Sequence, residues 1–271
     1  MTPVVHVEFF EFRGSLISFR RYGHGPTALL AFHGFGQSSE MYTQLGQVLR
    51  EHFTVYALDL FYHGESWYAD DQLITKTYWQ GLVNAFLQAM AIDRFSLMGF
   101  SLGGRFALAL AETLAGRLDQ LILIAPDGIT RSPWYRLATG STPGRWLFCF
   151  FLRHMSLLTS VGHGLTAVGL LHRTAMRFAE NAMGTAEQRE QVYQSWTKFR
   201  LIRPDLNVTS QALDQHSVRV RVFTGYYDRI VPGTYAQPLL RRLRSYELTV
   251  LKAGHNRLVD QVGEILAKRP L

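Results

Sequence analysis

The sequence predicts an α/β protein: a mostly parallel, eight-stranded sheet flanked by helices, with an all-helical segment inserted after the sixth strand. Three observations predict it. Apolar runs of strand length alternate with periodic segments of helix length through most of the 271 residues, the pattern of a sheet covered on both faces. From Asp127 to about Gln215 the alternation stops and the chain reads as helix throughout. One apolar run, "RFSLMGF" (94–100), passes into a helical segment through a turn that gathers Gly99, Gly103 and Gly104 around Ser101.

In order, "VVHVEFFEF" (4–12) and "LISFRRY" (16–22) flank a glycine-containing turn and read as a hairpin. Glu8 and Glu11 interrupt the first run and no basic stretch precedes it, so the N-terminus reads as a strand and not as a secretory signal. "TALLAFHG" (27–34) is a near-continuous apolar run of the kind buried on both faces. A helix over "SEMYTQLGQVLREH", the strand "FTVYALDL" (53–60) and a helix near 74–91 follow. After the glycine-rich turn come a helix from 102 and the strand "LDQLILIAP" (118–126). Strand pattern resumes at "VRVRVFTG" (218–225), then a helix around 233–244, "SYELTVLKAG" (245–254) and a terminal helix. The expected organisation is a core domain over 1–127 and 216–271, with a helical lid over 128–215. An excursion that long between two strands of one sheet calls for a functional reason.

At 47% hydrophobic, the chain is long enough to bury a sizeable core. Cys149 is its only cysteine, so an intramolecular disulfide is excluded, and a reducing compartment fits. Within "LFCFF" that thiol reads as a packing residue. The longest uncharged apolar run in the middle, "WLFCFFL" (146–152), is too short to span a bilayer. The chain therefore reads as soluble and cytoplasmic. Net charge is +7, of which +5 falls between residues 128 and 214, where nine Arg and one Lys face five acids. A basic segment so localised suits an anionic substrate, a peripheral membrane contact through the lid, or a plain solvated helical face. No nucleic-acid-binding motif accompanies the charge, so that partner is not expected.

Gly99-Phe100-Ser101-Leu102-Gly103 matches G-x-S-x-G, a weak signal alone. Its context strengthens it, because a buried-type strand followed by a helix is the setting of a nucleophile elbow. There the serine sits in a strained conformation on a tight turn, and glycines leave room where a Cβ would collide. The hydroxyl is pushed out at the sheet's carboxyl edge, above a helix N-terminus that favours developing negative charge. A serine needs a base to take its proton. On such a scaffold the order is serine, acid, histidine. Asp228 in "GYYDRIVP" and His255 in "LKAGHN" each follow a strand and meet that order. Asp127, just after the sixth strand, is the alternative acid, or else a turn or capping residue. Oxyanion donors are expected from the backbone amides of Leu102 and, within "HGFGQS", Phe35, with Gly36 as second choice; Gly34 and Gly36 are candidate substrate-binding positions, where a glycine lets the backbone approach the substrate. His154, His163 and His172 lack Cys or acidic neighbours at ligand spacing, which argues against a metal site.

"HGFG" (33–36), "DLFYHGES" (59–66), "GFSLGG" (99–104) and "GYYDRIVP…AGH" (225–255) together resemble the α/β-hydrolase superfamily over all but the helical insertion. The second motif is similar to D-x-x-G-H-G-x-S but has Phe61-Tyr62 in place of Pro-Gly. The resemblance implies the fold, a serine triad and no cofactor. It does not imply a substrate. The leading expectation is a carboxylesterase or thioesterase acting on a small molecule whose acyl or ring group is apolar. "GFSLGGR" and "AGHN" also resemble the menaquinone-pathway synthases that eliminate pyruvate. That likeness implies Arg105 as a carboxylate anchor in a triad-dependent lyase or C–C hydrolase. Arg105 could equally face solvent or cap loops. A small-molecule binding module with an intact triad is the other rival.

Overall fold

The computed structural model describes residues 5–130, 133–170 and 172–268. Val4, where the expected first strand begins, and the last three residues lie outside them. The strands are β1 (Val7–Phe12), β2 (Ser15–Tyr22), β3 (Thr27–Phe32), β4 (Phe53–Leu58), β5 (Phe95–Phe100), β6 (Leu118–Ile124), β7 (Arg219–Gly225) and β8 (Glu247–Leu251). They form one sheet in the order β1-β2-β4-β3-β5-β6-β7-β8. β1 pairs antiparallel with β2, and β2 with β4. From β4 onward every pairing is parallel. The chain leaves β3 for β4 on one side, then returns to β5 on the other. The connections that leave β3 and β5 therefore run to opposite sides, and in open α/β sheets ligands bind at the carboxyl ends of the strands where such connections part.

Helices α1 (Thr43–Leu49), α2 (Lys76–Ala89) and α3 (Leu102–Leu114) link the first six strands. Between β6 and β7 lie α4 (Pro133–Thr139), α5 (Thr142–Arg153), α6 (Met155–Ala167), α7 (Arg173–Ala182), α8 (Ala186–Lys198) and α9 (Leu206–Gln215). The short α10 (Gln237–Leu240) and the terminal α11 (Leu258–Lys268) complete the chain. In α2, Trp79, Leu82, Val83, Phe86 and Leu87 fall on one buried stripe at helical spacing. Each such side chain contributes about 1.5–3 kcal/mol when withdrawn from water. The Thr75 hydroxyl caps this helix by accepting from the Tyr78 amide at 3.1 Å.

Alternate residues of the parallel strands feed two cores. Leu29, Ala31, Val55, Met98 and Ile122 pack with Leu45, Leu49, Leu258 and Val262 on the face covered by α1 and α11. On the opposite face an edge-to-face chain of rings joins Phe32 to Trp79 at 5.2 Å and Trp79 to Phe106 at 5.0 Å. Helix α3 is buried nearly all round from Leu102 to Ala111, which its glycines and alanines permit.

The helices between β6 and β7 do not all belong together. α4 to α8 and residues 72–74 form a second compact unit, whereas α9 belongs with the sheet. The insertion that stands apart is thus narrower than the 128–215 read from the sequence. α9 packs on α3, and the Asp205 amide ahead of it donates to Glu112 of α3 at 2.6 Å. Within the second unit, Trp196 of α8 stacks on Phe148 of α5 at 5.2 Å and meets the Tyr135 ring of α4 edge-on. The Tyr135 hydroxyl donates to the Trp196 carbonyl at 3.1 Å.

One glycine is fixed by its neighbours with no latitude. A Cβ on Gly103 would lie 2.0 Å from the Phe32 carbonyl oxygen at the end of β3. Gly103→Ala should therefore destabilise the fold by about 3 kcal/mol, read as a lowered denaturant midpoint with little change of slope.

Candidate active site

Ser101 joins β5 to α3 with φ 50° and ψ −115°. That left-handed conformation costs of order 1–3 kcal/mol for a non-glycine residue. Backbone hydrogen bonds hold it: the Ser101 amide donates to Ile124 at 2.9 Å, and the Ser101 carbonyl accepts from Gly104 and Asp127. Gly99 and Gly103 allow the turn by mutual contact, since a Cβ on Gly99 would sit 2.5 Å from the Gly103 carbonyl oxygen.

Asp228 and His255 lie in the loops that follow β7 and β8. The Tyr226 and Tyr227 amides donate to the Leu251 and Ala253 carbonyls and lash the two loops together. Asp228 Oδ1 accepts from the amides of Ile230 and Val231, both at 2.9 Å. Its Oδ2 lies 2.6 Å from His255 Nδ1. A carboxylate only accepts, so Nδ1 carries the proton and Nε2 presents its lone pair. Both side chains are buried, at 3% and 7% exposure. The imidazole rests on the ring of Phe100, the residue before Ser101, with centroids 4.8 Å apart. Among the described residues, neither the Ser101 hydroxyl nor His255 Nε2 makes a hydrogen bond.

The amides of Leu102 and Phe35 also donate no hydrogen bond among the described residues. The loop carrying Phe35 is braced from below. Burial pushes the His33 imidazole down to about 4 against the opposing pull of its bond to the Gly34 carbonyl. It is therefore neutral at pH 7, with Nδ1 donating to Gly34 at 2.7 Å and Nε2 accepting from the Leu60 amide at 2.9 Å. His63 is pushed to about 3, by burial first and then by His33. Its Nδ1 donates to the Phe61 carbonyl, and its Nε2 is buried without a hydrogen-bond partner among the described residues. The Phe35 ring stands edge-on to it at 5.5 Å. Gly34 is closed in by Gln37 and Phe100, while Gly36, at φ 70°, faces open space.

Asp59 ties the second motif to β2 and to the segment ahead of α1 by accepting from the Ser18 and Ser39 hydroxyls and the Ser39 amide. Tyr62, in the place of the family's glycine, takes φ 65°. The turn keeps a left-handed residue despite the substitution, at a cost of about 1–2 kcal/mol. Arg105 is buried and donates to the carboxylate of Asp127, whose other oxygen accepts from the Gly128 amide at 2.7 Å. Asp127 is thus committed to a guanidinium. Nothing in the sequence linked those two residues, because the pairing depends on α3 lying against the turn after β6.

A twisted, mostly parallel sheet with a strained serine after β5 and an Asp–His pair after β7 and β8 defines a class. The chain belongs to the alpha/beta hydrolase fold family, which it matches over residues 27–261. A pimeloyl-[acyl-carrier protein] methyl ester esterase of Xylella fastidiosa is 35% identical over 114 residues, 41% of this chain and 42% of that one. An uncharacterised protein of Mycobacterium tuberculosis is 33% identical over 125 residues, 46% of this chain and only 36% of its own length. Among solved structures, a hydrolase of Pseudomonas aeruginosa superposes with a TM-score of 0.70 at 21% identity, covering 97% of both chains. An esterase of Thermogutta terrifontis superposes with 0.68 at 19% identity, covering 97% of this chain and 96% of that one.

The two histidines under the first loop carry a pH dependence. Both have folded pKa values below the ordinary 6.5, so the unfolded chain takes up protons first as pH falls. Stability is retained above pH 6.5 and declines as pH drops towards 4 and then 3. His63→Asn should flatten that decline, measured as the melting temperature across the same range.

Proposed function

We propose that the protein is a cofactor-independent serine hydrolase that cleaves a carboxylic ester or thioester. The reading is carried by the Asp228–His255 hydrogen bond, with the imidazole packed on the residue that precedes the strained serine. Ser101 Oγ attacks the acyl carbonyl while His255 Nε2 takes its proton. Asp228 stabilises the imidazolium without itself being protonated. The oxyanion of the tetrahedral intermediate accepts from the Leu102 and Phe35 amides, whose hydrogens have no other use within the described protein. Collapse of the intermediate expels the alcohol or thiol, which leaves with the proton held by His255. Water, activated by the same imidazole, then releases the acid from the acyl-enzyme. The serine–histidine hydrogen bond tightens when substrate binds, as is common where the free site is loose.

Helices α4 to α8 act as the lid in this reading. Their aromatic and aliphatic content suits an apolar acyl or ring group. The esterase and thioesterase names of related proteins support the bond type. The rival role of Arg105 as an anchor for a substrate carboxylate has less support, because that guanidinium already holds Asp127.

Ser101→Ala should lower kcat on nitrophenyl esters and acyl thioesters by about 10⁶-fold and abolish labelling by a fluorophosphonate. Asp228→Asn should cost about 10⁴-fold. Undiminished turnover in the serine variant would discard the mechanism. Arg105→Met should affect neutral and anionic esters alike in kcat/KM; a loss confined to anionic ones would favour the carboxylate-anchoring rival.

A further inference from the structure

Residues 128 to 179 contain no aspartate or glutamate, yet six arginines. A segment of that length without one acid is unusual when both signs ordinarily intersperse on a solvated surface. Of those arginines, Arg136, Arg153, Arg173 and Arg177 are exposed and make no ion pair among the described residues. His163 is paired with Glu180 at 3.0 Å, just past the acid-free stretch.

The same helices turn apolar side chains outward. Along α6 and its cap, Leu157, Val161, Gly164 and Val168 recur at i, i+4, i+7 and i+11, and all are exposed. A solvent-facing helix stripe is ordinarily charged or polar; this one carries neither. A Cβ on Gly164 would meet nothing, so the stripe is open along its length. On α5, Trp146 is 69% exposed and stacks on Phe150, which stacks in turn on His154. Val168 and Leu170 are equally exposed. No helix among the described residues is long and apolar enough to cross a membrane.

We infer that α5 and α6 form a peripheral docking surface for an anionic lipid bilayer. Tryptophan, phenylalanine and aliphatic side chains enter the headgroup boundary, while Arg153 at the end of α5, with the exposed arginines of the neighbouring α4 and α7, binds lipid phosphate. The acid-free composition of this stretch selects the partner's sign, and Glu180, the carboxylate that meets α6, is engaged by His163. Insertion of apolar side chains needs no shaped pocket in the partner, and the stripe offers none. This surface is independent of the hydrolase reading.

The test uses the full chain as its Ser101→Ala variant, so that lipid cleavage cannot alter the vesicles. Flotation is measured with phosphatidylcholine vesicles, with and without about 30% phosphatidylglycerol. Binding to the anionic vesicles should be at least about tenfold tighter and should fall as salt rises. Val161→Glu with Val168→Glu should weaken it about tenfold, and Arg153→Glu should weaken it about fivefold. Unchanged melting temperatures confirm that these variants fold. Equal partition into both vesicles, no partition, or full binding by the valine variants would overturn the proposal. So would tight binding to a soluble acidic protein with none to vesicles. Lipid binding is read without turnover, so failure of the proposed chemistry leaves this result standing, and the reverse also holds.

Discussion

The conformation of one serine governs the rest of the architecture. A left-handed, non-glycine residue between a buried strand and a buried helix can persist only where its surroundings leave no alternative. Here the surroundings are β3, whose last carbonyl presses on Gly103, and the end of β6, which receives the serine's amide. Moving the turn would require β5 and α3 to separate, and both lie in the two cores on either side of the sheet. The strain is therefore held jointly by the backbone hydrogen bonds of Ser101 and by packing spread over many side chains.

Charge around this turn is arranged with economy. Asp228 is saturated by two amides and one imidazole, so its negative charge has fixed partners before any substrate arrives. Arg105 and Asp127 offset one another directly behind the serine's own backbone. His33 and His63 remain neutral beneath the loop that bears Phe35. Among the described residues, unspent hydrogen-bonding capacity then lies at the Leu102 and Phe35 amides, the serine hydroxyl, His255 Nε2 and, buried beneath the loop, His63 Nε2. Such a distribution suits the proposed reaction, in which negative charge develops on the substrate.

Strand runs such as "TALLAF" and "FSLMGF" were readable because burial on both faces demands continuous apolar sequence, and β3 and β5 are flanked by helices on each side. The elbow was readable because few residues other than glycine survive beside a strained serine. The extent of the separate helical unit was less so: α9 resembles its predecessors in composition, and the Asp205–Glu112 contact, its packing on α3 and its bonds to Arg242 and Arg244 assign it to the sheet. The Arg105–Asp127 pair and the lack of a hydrogen-bond partner for His63 Nε2 among the described residues were invisible for the same reason. Each depends on which loops meet in space, and spacing along the chain carries no trace of that. Tyr62 shows the opposite case, where a bulky residue stands in the motif's glycine position and the backbone still takes a left-handed φ of 65°.

The solitary thiol of Cys149 lies half-buried on α5, between Phe148 and Phe150. With no second sulfhydryl anywhere in the sequence to compete, a spin label or fluorophore coupled at that point would be stoichiometric and unambiguous without prior mutagenesis. The native polypeptide thus comes with its own spectroscopic vantage point, set in the helix whose aromatic rings are most open to solvent.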